Sequence, residues 1–265
     1  MALPEQSLFI TKVTGAANPG TTTKSLVFRF LIPTDTLLSN PITSPFYSSS
    51  SGVGTMITHP QARVVNYPCR ADKIQNFLVY PANHQEREGG DWYTGCSGTR
   101  EDILRVFPDA HPVLKEIFRL APENEIMCWP LLCRAPLKTW HKQRCLLVGD
   151  AAHPMLPHQG QGGAMAFEDA EALAVVLANL EPPELERRLE LFEKIRAPRV
   201  SAMQIFSSVP MEESAKVENQ ARPYIQGKVP PGVPVDVVSW KSKYDALDDS
   251  QAALGEYMEG ELASQ

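Results

Sequence analysis

One segment constrains this chain more than any other: CLLVGDAAHPMLPHQGQGGAMAFEDA, from Cys145 to Ala170. An unbroken apolar run, Cys145–Val148, ends at Gly149-Asp150. So short a run, followed by helix, predicts a strand buried in a parallel sheet. A small-residue turn and a proline-bracketed loop with two histidines, His153 and His158, come next. Gly160, Gly162 and Gly163 then open a helix. Glycines at a helix N-terminus let a ligand reach bare backbone N–H groups, where the helix dipole favours negative charge. A carboxylate at a strand's C-terminal end suits a polyol or ribose hydroxyl. The pattern predicts a ligand with hydroxyls at one end and an anion-forming ring at the other.

The remaining chain supplies mixed α and β elements. SLVFRFLI (25–32) is a β-rich run ended by Pro33, after a polar, Gly- and Thr-rich arm over residues 1–24. The Ser- and Pro-containing stretch 40–54 reads as a surface loop. Residues 55–59, 62–67 and 73–80 read as an antiparallel meander, and 83–98 as a loop. Thr99 with Asp102 forms a capping-box pattern opening a short helix to Val106. A second short helix spans 111–120, and 125–130 reads as a strand. From residue 160 the pattern is helical: 160–180, 184–208 with a kink expected at Pro198, 211–221 and 246–263. The 23 prolines fall as punctuation between these elements. The fold class is α+β, with a β-rich domain over 1–140 and a segment bearing the Cys145–Ala170 motif, with C-terminal helices, over 141–265.

Charge and cysteine content exclude several classes. A net charge of −6 with no basic block argues against nucleic acid and anionic membranes as partners. No apolar run reaches the roughly 18 residues needed to cross a bilayer, and the start shows no signal-peptide pattern. Five scattered cysteines without a CxxC pair argue against a metal site and for reduced thiols in a cytoplasmic protein.

The run GDAAHPMLPHQGQGGAMAFEDA resembles the second flavin motif of the class A flavoprotein aromatic monooxygenases, close to the salicylate hydroxylase branch. FRFLIPTDTL, VVNYPCR and KSKYDALDD resemble stretches of the same family in the same order. The resemblance implies an FAD-dependent hydroxylase acting on an aromatic or polyketide-like small molecule of secondary metabolism. It implies that Asp150, with Gly149, holds the ribityl chain, and that the backbone around Pro157, Gly160, Gly162 and Gly163 faces the flavin pyrimidine. His158 is then the catalytic base on the substrate side, its imidazolium disfavoured beside a helix N-terminus. Arg70, Arg134, Trp129 and Tyr67 are candidate substrate contacts. Simpler roles stand beside these: a helix cap for Asp150, ion pairs for the arginines, core packing for Trp129 and Tyr67. His153 is expected to be packed and to shape the loop, and Glu168 and Asp169 to pair with loop N–H groups or arginines.

The family's GxGxxG unit, which seats the ADP half of FAD, does not occur in these 265 residues. Weak FAD binding by this chain is therefore expected. Three readings are compatible with this pattern. The chain is a fragment of a flavin monooxygenase, a flavin-free isomerase, cyclase or lyase reusing its substrate pocket on a polyketide- or terpenoid-like compound, or a non-catalytic partner subunit. The apolar strand 145–148 and the helix beside it should not stay open to water, so a homodimer is expected.

Overall fold

The computed structural model describes residues 10–15, 21–49, 52–60, 62–81, 96–225 and 234–263. Two compact units are present: Thr22–Leu131, and Met1–Thr21 with Leu132–Gln265.

The Thr22–Leu131 unit is built on a six-stranded sheet. Its strands are β1 (Thr21–Pro33), β2 (Thr55–His59), β3 (Ala62–Cys69), β4 (Ile74–Pro81), β5 (Cys96–Ser97) and β6 (Met127–Cys133), ordered β2-β3-β4-β1-β6-β5. The pairs β2/β3, β3/β4, β1/β4 and β5/β6 are antiparallel, so the expected meander forms. Alternation along β1 decides the layers: Phe28, Phe30 and Ile32 point to one face and are essentially fully buried. There Phe30 stacks on Phe77 with centroids 5.1 Å apart and meets Phe118 edge-on at 6.3 Å. Two helices, α4 (Arg100–Val106) and α5 (Pro112–Leu120), supply Ile103, Leu114, Ile117 and Phe118 to this core. The capping box forms as expected: the Thr99 hydroxyl accepts from the Asp102 N–H, and the Asp102 carboxylate accepts from the Thr99 N–H. Gly98 is required by packing, since an added Cβ would lie 2.8 Å from both Ile126 and Phe28.

The stretch 40–54 is not simply a loop. One helix, α3 (Ser44–Ser48), forms within it, following α2 (Thr34–Ser39), and Tyr47 is buried with its hydroxyl 3.3 Å from Asn66 Oδ1. The serines around it masked an aromatic anchor. Most of the expected loop 83–98 lies outside the described residues.

The other unit is helical. Helices α6 (Gly162–Val176) and α7 (Leu185–Phe206) and the helix Ala246–Ala263 surround Trp140, Met165, Ala172, Phe192, Val200 and Met203. Helix α7 continues through Pro198. The N-terminal arm contributes structure that its composition did not suggest: residues 10–14 are helical, and Ile10 and Val13 join this core.

The run 145–148 is not a buried parallel strand. Only Cys145–Leu146 forms a strand, β8, paired antiparallel with β7 (His141–Lys142) in a two-stranded hairpin. Gln143 turns the chain with φ +53°. Glu193 of α7 fixes the hairpin by accepting from the N–H groups of Trp140 and His141 and from His141 Nδ1 at 2.6 Å. Cys145 and Val148 remain exposed.

A buried charge network holds this unit together. The Asp169 carboxylate, 2% exposed, accepts from His153 Nε2 at 2.6 Å, from the Gly149 N–H at 3.0 Å and from Arg196 Nε at 2.9 Å. Arg196, fully buried, also pairs with Glu168 at 2.9 Å, and Glu168 pairs with Arg199 at 2.7 Å. Burial alone would raise the Asp169 carboxyl; the His153 ring, the Arg196 charge and the Gly149 N–H outweigh it and hold the group below its usual range. A carboxyl held low contributes stability above its unfolded value of about 4 and loses that contribution as pH falls through the folded value. Asp169→Asn removes one of the two carboxylates paired with buried Arg196, leaving Glu168 alone, and should cost about 3 kcal/mol at pH 7. Its loss should shrink as pH drops below about 4. Thermal unfolding of both proteins between pH 7 and pH 3 checks this; a constant difference across that range would remove Asp169 from the linkage.

Candidate flavin-side site

The network sets the shape of the motif. Val148 leaves the hairpin in extended backbone, and Gly149 turns left-handed with φ +55°. The Gly149 N–H is thereby directed to the Asp169 carboxylate. A one-turn 3-10 helix, Gly149–Ala151, follows and places Asp150 on the exposed side. Its neighbour His153 points the other way, 1% exposed, with Nε2 donating to Asp169 and Nδ1 buried without a partner. Trp140 lies over the His153 ring with centroids 5.2 Å apart. The structure thus gives His153 and Asp169 the packing roles expected of them.

Arg134 sits beneath the same turn. Its Nη2 donates to the Ala151 carbonyl at 2.5 Å. Burial lowers the guanidinium to about 10, against the opposing pull of the Asp150 charge. Arg134 therefore braces the Asp150 turn from within the structure. Gln204 ties this together by donating to the carbonyls of Arg134 at 3.0 Å and Pro154 at 3.1 Å.

The loop then rises to a second one-turn helix, Pro157–Gln159. Gln159 is its buried anchor, donating to Ser214 Oγ at 3.2 Å. His158 stands beside it, half-buried. Gly160 is left-handed with φ +63°, a conformation that a side chain would strain. Helix α6 starts at Gly162 with no side-chain cap from Gln161 and no acidic residue in its first turn. A Cβ added at Gly160, Gly162 or Gly163 would meet nothing within 4 Å. Bare N–H groups, open space and an exposed carboxylate at Asp150 therefore lie on one continuous stretch of chain. This donor set suits a polyol chain beside a planar ring that accepts hydrogen bonds.

Tyr67, Arg70 and Trp129 belong to the Thr22–Leu131 unit. Tyr67 is 41% exposed on β3, and Trp129 is half-buried on β6. Arg70 begins a turn of three consecutive left-handed residues, with φ +51°, +54° and +65° at Arg70, Ala71 and Asp72. That turn is held by Asp72, which accepts from Gln75 Nε2 at 2.7 Å, so Arg70 itself extends into solvent. Arg196 and Gln204 escaped sequence reading. Each lies inside a helix where its neighbours give a mixed pattern, and only the tertiary contact reveals a partner. Among the described residues no group of three or more potential metal ligands occurs, and no helix is long and apolar enough to cross a membrane.

Comparison with known proteins agrees with this geometry. The FAD-dependent monooxygenase phomE of Diaporthe leptostromiformis is 37% identical over 227 residues, covering 85% of this chain and 58% of the relative. The chain thus spans little more than half the length of that relative. Two solved structures share the fold. A salicylate hydroxylase substrate complex matches with TM-score 0.67 and 22% identity over 92% of this chain and 61% of that one. CtdE in complex with FAD and a substrate matches with TM-score 0.72 and 18% identity over 96% of this chain and 61% of that one. The family model described as "FAD binding domain" matches residues 40–207, a span that takes in the Asp150 turn, the glycine-opened helix and the Asp169 anchor beneath them, and the chain belongs to that family, with FAD as its cofactor.

Proposed function

We propose that this chain is the substrate- and flavin-contacting part of an FAD-dependent monooxygenase that hydroxylates an aromatic or polyketide-like small molecule. The observation that carries the reading is the Asp150–Gly163 stretch, where an exposed carboxylate and an uncapped, glycine-lined helix N-terminus stand on one braced loop. Asp150 accepts hydrogen bonds from ribityl hydroxyls. The N–H groups at Gly162 and Gly163 face the pyrimidine edge, where the dipole of a 15-residue helix stabilises negative charge. Bound FAD supplies oxygen activation, driven by NAD(P)H. The chain's contributions are orientation, exclusion of water and a proton acceptor. His158 fills the last role: its backbone is fixed between Pro157 and left-handed Gly160, and its imidazole accepts the proton of a substrate phenol or enol.

Copies of the chain associate through the outer face of α6. Phe167 there is 81% exposed and Val148 is 41% exposed, beside Gly163, Ala166 and Ala170. An apolar face of this kind is more stable covered.

Titration with FAD, followed by flavin fluorescence, tests the cofactor site. Saturable quenching with a dissociation constant above about 1 μM is expected. Asp150→Asn should weaken binding about tenfold, the worth of one charge-assisted hydrogen bond; an unchanged constant would take Asp150 out of the site. His158→Ala should lower hydroxylation of a salicylate probe by about two to four orders of magnitude in a protein with an unaltered circular dichroism spectrum. Near-native turnover would move the base elsewhere. Light scattering should show a dimer at micromolar concentration that Phe167→Glu returns to monomer, and a wild-type monomer would refute association through α6.

A further inference from the structure

Pro154 and Met155 join the Asp150 turn to the turn that carries His158, and neither lies in a helix or strand. Proline has no backbone N–H, so Pro154 cannot donate a bond that would fix the stretch locally. The fixing group comes from α7. Gln204, 6% exposed, sets its amide nitrogen between two carbonyls, Arg134 O at 3.0 Å and Pro154 O at 3.1 Å. A primary amide carries two N–H donors on one atom, so both bonds form at once. Arg134 in turn holds the Ala151 carbonyl through Nη2. One buried side chain thus ties the Asp150 turn and the Pro154–Met155 peptide to the same point on α7.

The bond to Pro154 has a geometric consequence one residue further on. The peptide between Pro154 and Met155 is trans. In a trans peptide the C=O and the N–H that follows it point in opposite directions. With the Pro154 carbonyl drawn toward α7, the Met155 N–H is turned away from it. The Met155 side chain is anchored inward: it packs on the core around Trp140 and Phe192, with Sδ 4.0 Å from Ser207 Oγ at the end of α7. Among the described residues the Met155 N–H donates to no group. A donor turned outward on a peptide fixed from behind is preorganised, since nothing has to move before it is used.

We propose that Gln204 is a positioning residue for the flavin site, and that the contact it positions is the Met155 N–H, donating to an oxygen of the bound flavin. This assignment rests on the flavin reading above. It adds a backbone donor between the Asp150 carboxylate and the glycines that open α6. Flavin offers hydroxyl oxygens on its side chain and carbonyl oxygens on its ring, and both kinds accept from a neutral N–H. Gln204 is buried and acts through the peptide it holds.

Hydrogen exchange followed by nuclear magnetic resonance on the full chain tests this directly. Prolines flank the pair, so Pro154-Met155-Leu156-Pro157 holds only the Met155 and Leu156 amides. Saturating FAD should slow exchange of the Met155 amide at least about tenfold in wild type. Gln204→Met keeps a side chain of similar length and removes both donors. It should abolish that protection and weaken FAD about tenfold by fluorescence titration, the worth of one hydrogen bond. Met155→Pro deletes the N–H itself, and in that background Gln204→Met should weaken FAD no further. Should Met155→Pro fail to fold, the exchange measurement on Gln204→Met decides. An unchanged Met155 exchange rate at saturating FAD would overturn the assignment. So would protection that persists in folded Gln204→Met with a lowered melting temperature, which would leave Gln204 a clamp between α7 and the loop. Titration of wild type and Asp150→Asn with FAD separates the two readings. Binding that depends on Asp150 without protection at Met155 overturns this inference alone, and no binding by wild type overturns both.

Discussion

The Asp169 carboxylate is the group on which the flavin-side half of this protein depends. It receives three donors from three separate places: the backbone of Gly149, the ring of His153 and the guanidinium of Arg196. One side chain on α6 thereby fixes the end of the hairpin, the loop that follows and helix α7. Removing two charges from water is costly, and their mutual attraction offsets that cost only when the remaining hydrogen bonds are made. Here they are nearly all made, with His153 Nδ1 the exception.

The consequence is a division between charges that hold and charges that are offered. Asp169, Arg196 and Glu168 are consumed internally, and Arg134 donates its Nη2 to the Ala151 carbonyl. Asp150, three residues before the buried anchor His153, is left facing outward. The glycines at 160, 162 and 163 extend the same logic to the backbone. Internal anchoring by Gln159 and Gln204 lets the loop present bare N–H groups without collapsing onto them. A site that must receive a large planar cofactor needs such preorganised donors more than it needs side chains.

The sheet unit separates its tasks by face. One side is filled with phenylalanines and covered by α4 and α5, where burial of aromatic area supplies stability. The other carries Arg29, Arg63 and Tyr80 half-buried, Asn76 buried and Tyr67 exposed. Strand alternation makes this possible: one stretch of chain serves the core with every second residue and the polar face with those between.

The sequence by itself determined the local events. The Thr99–Asp102 cap, the meander of β2, β3 and β4, the final helix over 246–263 and the flavin motif with its turn, loop and helix all follow from interactions between residues close in sequence. The family was legible for the same reason, since its motif is contiguous. Tertiary structure decided the rest. The run 145–148 has the composition of a buried parallel strand, but the Gln143 turn and Glu193, about fifty residues away, make it a hairpin edge. Tyr47 hid among serines until Asn66 gave it a partner. In the sequence Arg134 is one cation among many, and only the fold sets its Nη2 against the Ala151 carbonyl. Asn76 shows the limit most plainly. Within IQNFLVY it is an unremarked polar residue, and only the pairing of β1 with β4 sets it beside Arg29 with one nitrogen unpaired. A hydrogen-bond partner contributed by a distant strand leaves no mark on local composition, so the chain discloses it only when folded.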